Sequence, residues 1–176
     1  MADKENIIKL NTGSHKDLRL GKGRYDLIPL DVLGELIRGQ LTKWDGDSPV
    51  KELLNYIHKA RVATKGYEGE DTIEDIILVK ADWLHQAIYS FVTTELKGNW
   101  IDLTKRLALL FEKGAAKYSE RDWEKGRPMS IFINSALRHL FQYYNSETDE
   151  DHAAAFVWNL LACIDTINKM PEMANK

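Results

Sequence analysis

Apolar residues at Ile133, Ala136, Leu137, Leu140, Phe141 and Tyr144, and again at Ala153, Phe156, Val157, Leu160, Leu161, Ile164 and Ile167, recur at a period of three to four. That spacing puts them on one face of a helix, and an alternating strand cannot satisfy it. Leu30, Leu33, Leu36, Ile37 and Leu41 predict a helix over about 30–43. Ser48 and Pro49 suit a cap and first turn for a second helix, faced by Leu53, Leu54, Ile57 and Val62. Asp71 and Glu74 have capping-box spacing ahead of an apolar-rich run from Ile76 to Leu96, which Gly98-Asn99 stops. Asp102 suits the cap of another helix, ending near Tyr118 and carrying Leu103, Leu107, Leu110, Phe111 and Ala115. Residues 119–128 read as a charged loop, and the last helix starts near Glu150. No alternating pattern of useful length appears, although Ile76–Val79 also suits a short strand. The expected fold is all-α, a bundle of five to six helices.

Composition narrows the function classes. The 176 residues, 44% hydrophobic, suffice for a real core, and a net charge of -3 gives no push toward nucleic acid or an anionic membrane. The single cysteine, Cys163, rules out an intrachain disulfide framework and a multi-cysteine zinc site. No apolar run approaches the roughly 18–20 residues of a membrane span. The first residues lack a signal-peptide core, so the expected location is cytoplasmic. Residues 1–20 predict a flexible arm.

The candidate chemistry lies late in the chain. With Leu137 at the centre of a buried face, Arg138, Ser135, Gln142 and His139 share the other side. Glu147-Thr-Asp149-Glu150-Asp151 places four carboxylates at a helix N-terminus, which suits either the helix dipole or an oxygen-rich Mg²⁺ site. His152 and Asn159 lie two turns apart on a stripe with Ala155 and Ala162. Upstream, Lys105, Arg106, Lys113, Lys117, Arg121, Lys125 and Arg127 form a basic block diluted by acidic residues. A compact basic group facing a compact acidic one suits a metal-bound polyphosphate. Gly21-Lys22-Gly23 is not a P-loop, and no His-Glu-x-x-His occurs.

Three blocks, in order, carry a family resemblance: Gly21-Lys22-Gly23-Arg24-Tyr25-Asp26-Leu27-Ile28-Pro29; Glu112-Lys113-Gly114-Ala115-Ala116-Lys117-Tyr118-Ser119-Glu120-Arg121-Asp122-Trp123-Glu124-Lys125-Gly126; and Ala136-Leu137-Arg138-His139-Leu140 followed by Glu147 through Leu161. The chain resembles the phage dATP/dGTP diphosphohydrolase-like family, related to the all-α MazG-type nucleotide pyrophosphohydrolases. The resemblance implies hydrolysis of a purine (deoxy)nucleoside triphosphate to the monophosphate and pyrophosphate, with Mg²⁺ or Mn²⁺, in phage nucleotide-pool remodelling. It carries over onto Lys22, Arg24, Lys117, Arg121, Arg138, His139, Glu147, Asp151, His152 and Asn159. Under it, residues 21–176 form one nucleotide-binding domain with a helical insertion over about 35–100, and the chain is a homo-oligomer. Asp122 stands where the family usually has asparagine.

On this reading Glu112, Glu147, Asp149, Glu150 and Asp151 supply the metal ligands. His139, His152 and Asp151 are the catalytic candidates. Lys22, Arg24, Lys113, Lys117, Arg121, Arg138 and Asn159 bind substrate. Two alternatives stay open: a nucleotide-sequestering protein without turnover, and a helical assembly protein whose polar groups are structural.

Overall fold

The computed structural model describes residues 7–17, 49–64 and 72–175. The helix expected over 30–43 and the block carrying Lys22 and Arg24 lie outside them. The described residues are dominated by five helices: α1 (Pro49–Val62), α2 (Ile73–Thr94), α3 (Trp100–Lys117), α4 (Met129–Tyr144) and α5 (His152–Lys169). The all-α fold is as the hydrophobic period requires. Ile76–Val79 is helical. The cap of α2 is Thr72, one residue beyond Asp71, with its side chain accepting from the Asp75 N–H.

The chain divides into two compact units, Leu27–Trp100 and Met1–Asp26 together with Ile101–Lys176. In the first, α1 packs on α2. Leu53, Leu54, Ile57 and Ala60 are buried on α1, and Leu84, Ala87, Ile88, Phe91 and Val92 on α2. Lys80 is also buried, and its Nζ donates to Ala60 O and Arg61 O at 3.1 and 3.2 Å. Those carbonyls end α1, where helix geometry leaves acceptors unpaired and the dipole favours a cation. The helix C-terminus thus solvates a charge that burial would otherwise penalise.

In the second unit, α4 and α5 pack against each other. Every residue from Ile131 to Leu137 is buried, so α4 runs through the core rather than along it. A one-faced helical pattern predicts a polar side at Ser135 and His139, yet both are buried, at 2% and 5% exposure. Phe132, Leu137, Leu140, Phe156 and Leu160 are buried in the same unit. Asp151 caps α5, its Oδ1 accepting from the Ala154 N–H at 3.0 Å.

Residues 7–17, expected inside a flexible arm, form an antiparallel hairpin of Ile7–Lys9 (β1) with His15–Asp17 (β2). Thr12 Oγ1 and Ser14 Oγ both donate to Gly126 O at 2.8 Å. Gly126 follows a 3₁₀ turn, Asp122–Lys125, and has φ 75°, a backbone region that favours glycine. The hairpin is thereby fastened to the loop between α3 and α4. Among the described residues, no helix is long and apolar enough to cross a membrane.

Candidate active site

The turn between α4 and α5 gathers the polar residues. His139, on α4, and His152, opening α5, are both buried, and their Nδ1 atoms lie 3.2 Å apart. Glu150 Oε1 is 3.3 Å from His139 Nδ1 and 3.8 Å from His152 Nδ1. On its other side, His152 Nε2 meets Asp149 Oδ1 at 2.8 Å. Arg138 Nη2 is 3.0 Å from His139 Nε2, while its Nη1 lies 3.7 Å from Glu150. A guanidinium can only donate, so His139 Nε2 accepts and the ring carries its proton on Nδ1. That N–H faces His152 and Glu150. A continuous donor chain then runs from Arg138 through His139 and His152, whose proton sits on Nε2, to Asp149.

Among the described residues, two groups of side chains bring ligand atoms within 4.8 Å of one another: His139, Glu150 and His152, and Glu147, Asp149 and His152. They differ electrostatically. The first has Arg138 against it, and that fixed positive charge opposes a second cation. The second offers two carboxylates and one imidazole. Glu147 accepts from Asn145 Nδ2 at 2.9 Å and Gln142 Nε2 at 3.0 Å. Those two hydrogen bonds hold its carboxyl below the ordinary carboxylate value, so it is ionised and oriented at neutral pH.

Asp151 is engaged elsewhere. Besides capping α5, it receives Arg106 Nε at 2.7 Å and Nη2 at 2.6 Å. Burial alone would raise its carboxyl, but the Arg106 hydrogen bonds, the Ala154 N–H and the Arg106 charge outweigh that and pull it below its ordinary value. Arg106 also lies 3.5 Å from Asp102, four residues before it. It therefore ties α3 to the start of α5, a role that nothing in its local sequence announces.

The remaining candidates are dispersed. Asn159 is buried and its Nδ2 donates to Ala155 O, four residues back in its own helix, at 2.7 Å. The small-residue stripe it shares with Ala155 and Ala162 is buried against the protein. Arg121 turns onto Glu124 at 2.8 Å. Lys117 Nζ lies over the Tyr118 ring. Among the described residues, Glu112, Lys113 and Arg121 make no ion pair or hydrogen bond with the acidic turn. Asp122 is buried, with Lys125 Nζ at 2.7 Å and Arg127 Nη2 at 3.8 Å. Two cations thus accompany the buried Asp122 carboxylate.

The comparison that bears on this geometry is a match of residues 99–176 to the family model described as dATP/dGTP diphosphohydrolase, N-terminal. Over residues 99–176, less than half of the chain, the protein is similar to the dATP/dGTP diphosphohydrolase family. The matched span contains α3, α4, α5 and the whole His139–His152 cluster. Neither the curated proteins nor the solved structures give a match.

Proposed function

We propose that this protein hydrolyses a purine deoxynucleoside triphosphate to the monophosphate and pyrophosphate with a divalent metal. The observation that carries the reading is the buried His139–His152 pair set among Glu147, Asp149 and Glu150, within the segment that matches the family. Glu147, Asp149 and His152 Nε2 would hold the ion. Two carboxylates suit Mg²⁺ or Mn²⁺, and the imidazole tips the preference toward Mn²⁺. The ion would activate the attacking water and offset phosphate charge.

The chain's own groups supply the rest. With Nε2 given to a ligand, the His152 proton sits on Nδ1, facing Glu150 Oε1. His139 Nδ1–H, 3.3 Å from the same oxygen, would orient Glu150, with His152 Nδ1 farther off at 3.8 Å. Glu150 takes the water's proton. The water oxygen bonds to the α-phosphorus, the bond from that phosphorus to the bridging oxygen breaks, and the oxygen leaves with pyrophosphate. Arg138, beside Glu150, offsets charge on the phosphate. Asp151 and Arg106 position the turn and are not ligands. A phage-encoded, cytoplasmic, oligomeric enzyme of nucleotide-pool remodelling fits the family match.

The test is product analysis. Incubating dGTP or dATP with the protein and Mn²⁺ should yield monophosphate and pyrophosphate in equal amounts, with less turnover in Mg²⁺ and none in a chelator. Glu150→Gln should lower kcat on the order of 100-fold or more while leaving Mn²⁺ affinity near wild type. Saturable triphosphate binding with no product in either metal would sink the enzyme reading in favour of sequestration.

A further inference from the structure

Trp158, on α5, has a buried Nε1 with no hydrogen-bond partner among the described residues. A buried N–H left unpaired costs on the order of 1–3 kcal/mol, so a folded chain keeps few without a use. The Phe111 ring of α3 stands edge to face with the indole, with centroids 6.2 Å apart and planes at 74°. Even an N–H directed at a ring is a second-order contact. Phe111 is 40% exposed and also meets Trp123 at 5.7 Å. Phe111, half-exposed, thus links the rings of Trp123 in the 3₁₀ turn and Trp158 on α5, and the Trp158 N–H lacks an acceptor among the described residues.

The place of this cluster is informative. Trp158 follows Asp151 by seven residues, about 20° short of two full turns, so the two share a stripe of α5 about 10.5 Å apart along the axis. Phe111 follows Arg106, the partner of Asp151, by five residues on α3. The aromatic cluster therefore lies farther along the same two helices than the proposed metal and phosphate groups. A nucleotide spans a similar length from phosphate to base.

We propose that Phe111, Trp123 and Trp158 form the base subsite, with the Trp158 Nε1–H donating to N7 of a purine that stacks against Phe111. This rests on the nucleotide-hydrolase reading above and adds its specificity element. N7 is an acceptor common to adenine and guanine and absent from pyrimidines, and stacking on aromatic side chains tolerates either purine. An apolar pocket alone discriminates weakly, whereas a donor built for one acceptor rejects bases that lack it.

The experiment compares dGMP with 7-deaza-dGMP, which lacks the N7 acceptor, by calorimetric titration in Mn²⁺. Wild type should bind dGMP about fivefold to tenfold more tightly, the worth of one hydrogen bond. Trp158→Phe should lose that factor for dGMP and bind both ligands alike. Phe111→Leu should weaken both ligands on the order of tenfold and preserve their ratio. Equal binding of the two ligands by wild type, or a Trp158→Phe variant that still tells them apart, overturns the proposal; the wild-type arm stands even if that variant fails to fold. Hydrolysis of dGTP by the wild type is followed in parallel. Hydrolysis with no N7 dependence defeats the base subsite alone, and absence of both hydrolysis and dGMP binding defeats the subsite and the proposed function together.

Discussion

Replacing Asp151 separates two jobs that its carboxylate performs at once. Asp151→Ala removes the cap of α5, worth about 1 kcal/mol. It also removes the bidentate Arg106 pair, whose side chains are 27% and 34% exposed. That exposure discounts the pair to about 1 kcal/mol, between the surface and buried extremes. The expected loss is about 2 kcal/mol, or a fall in Tm of about 4–8 °C for a chain of this size. Asp151→Asn keeps an oxygen that caps equally well and loses only the charged pair, so it should cost about half as much. Arg106→Met should match the asparagine variant, and the double mutant should cost little more than either, giving a coupling of about 1 kcal/mol. The folded carboxyl lies below its ordinary pKa, so the folded state binds the proton less readily than the unfolded chain. The contribution is therefore whole above about pH 4 and is lost as the pH falls through the depressed value. Thermal unfolding followed by circular dichroism, at neutral pH and near pH 3, reads all of this. The reasoning is refuted if asparagine and alanine cost the same, or if Asp151→Asn leaves stability intact and abolishes Mn²⁺ binding.

Gly126→Ala should cost about 1–3 kcal/mol, because φ is 75° there and an added Cβ would lie 2.5 Å from Met170 Sδ; chemical denaturation reads it, and hydrogen exchange should show Thr12 and Ser14 loosened with it. Asp122→Ala should cost about 3 kcal/mol by leaving the buried Arg127 without that anion, and Asp122→Asn should cost less, as urea midpoints will report. Arg121→Ala should change dGTP hydrolysis less than threefold if the exposed Arg121 stays paired with the half-buried Glu124 in the working enzyme, as kcat/KM will show.

The helices were readable because their apolar residues keep one period over several turns, and tertiary packing did not override it. The hairpin at 7–17 was not, because three-residue strands are too short to show alternation. Thr72 was hidden because Asp71 and Glu74 have the same spacing, shifted by one. The gathering of His139, Glu147, Asp149, Glu150 and His152 was legible in part, since they flank one turn. The burial of Ser135 and His139 was not: a face pattern assumes that one side meets solvent, and α4 is covered all round. Arg106 and Asp151 lie 45 residues apart, and no local rule pairs them. Asn159 stands among the expected substrate-binding residues, and the bond from its Nδ2 to the backbone of its own helix is not something a sequence pattern reveals.

The central claim is that Glu147, Asp149 and His152 hold the metal that hydrolysis needs. Anomalous scattering from crystals grown with Mn²⁺ and a non-hydrolysable dGTP analogue tests it directly. A manganese peak bonded to all three side chains, with Glu150 beside the α-phosphate, is the predicted result. A peak on Asp151 or Glu112, or one between His139 and Glu150, would contradict it.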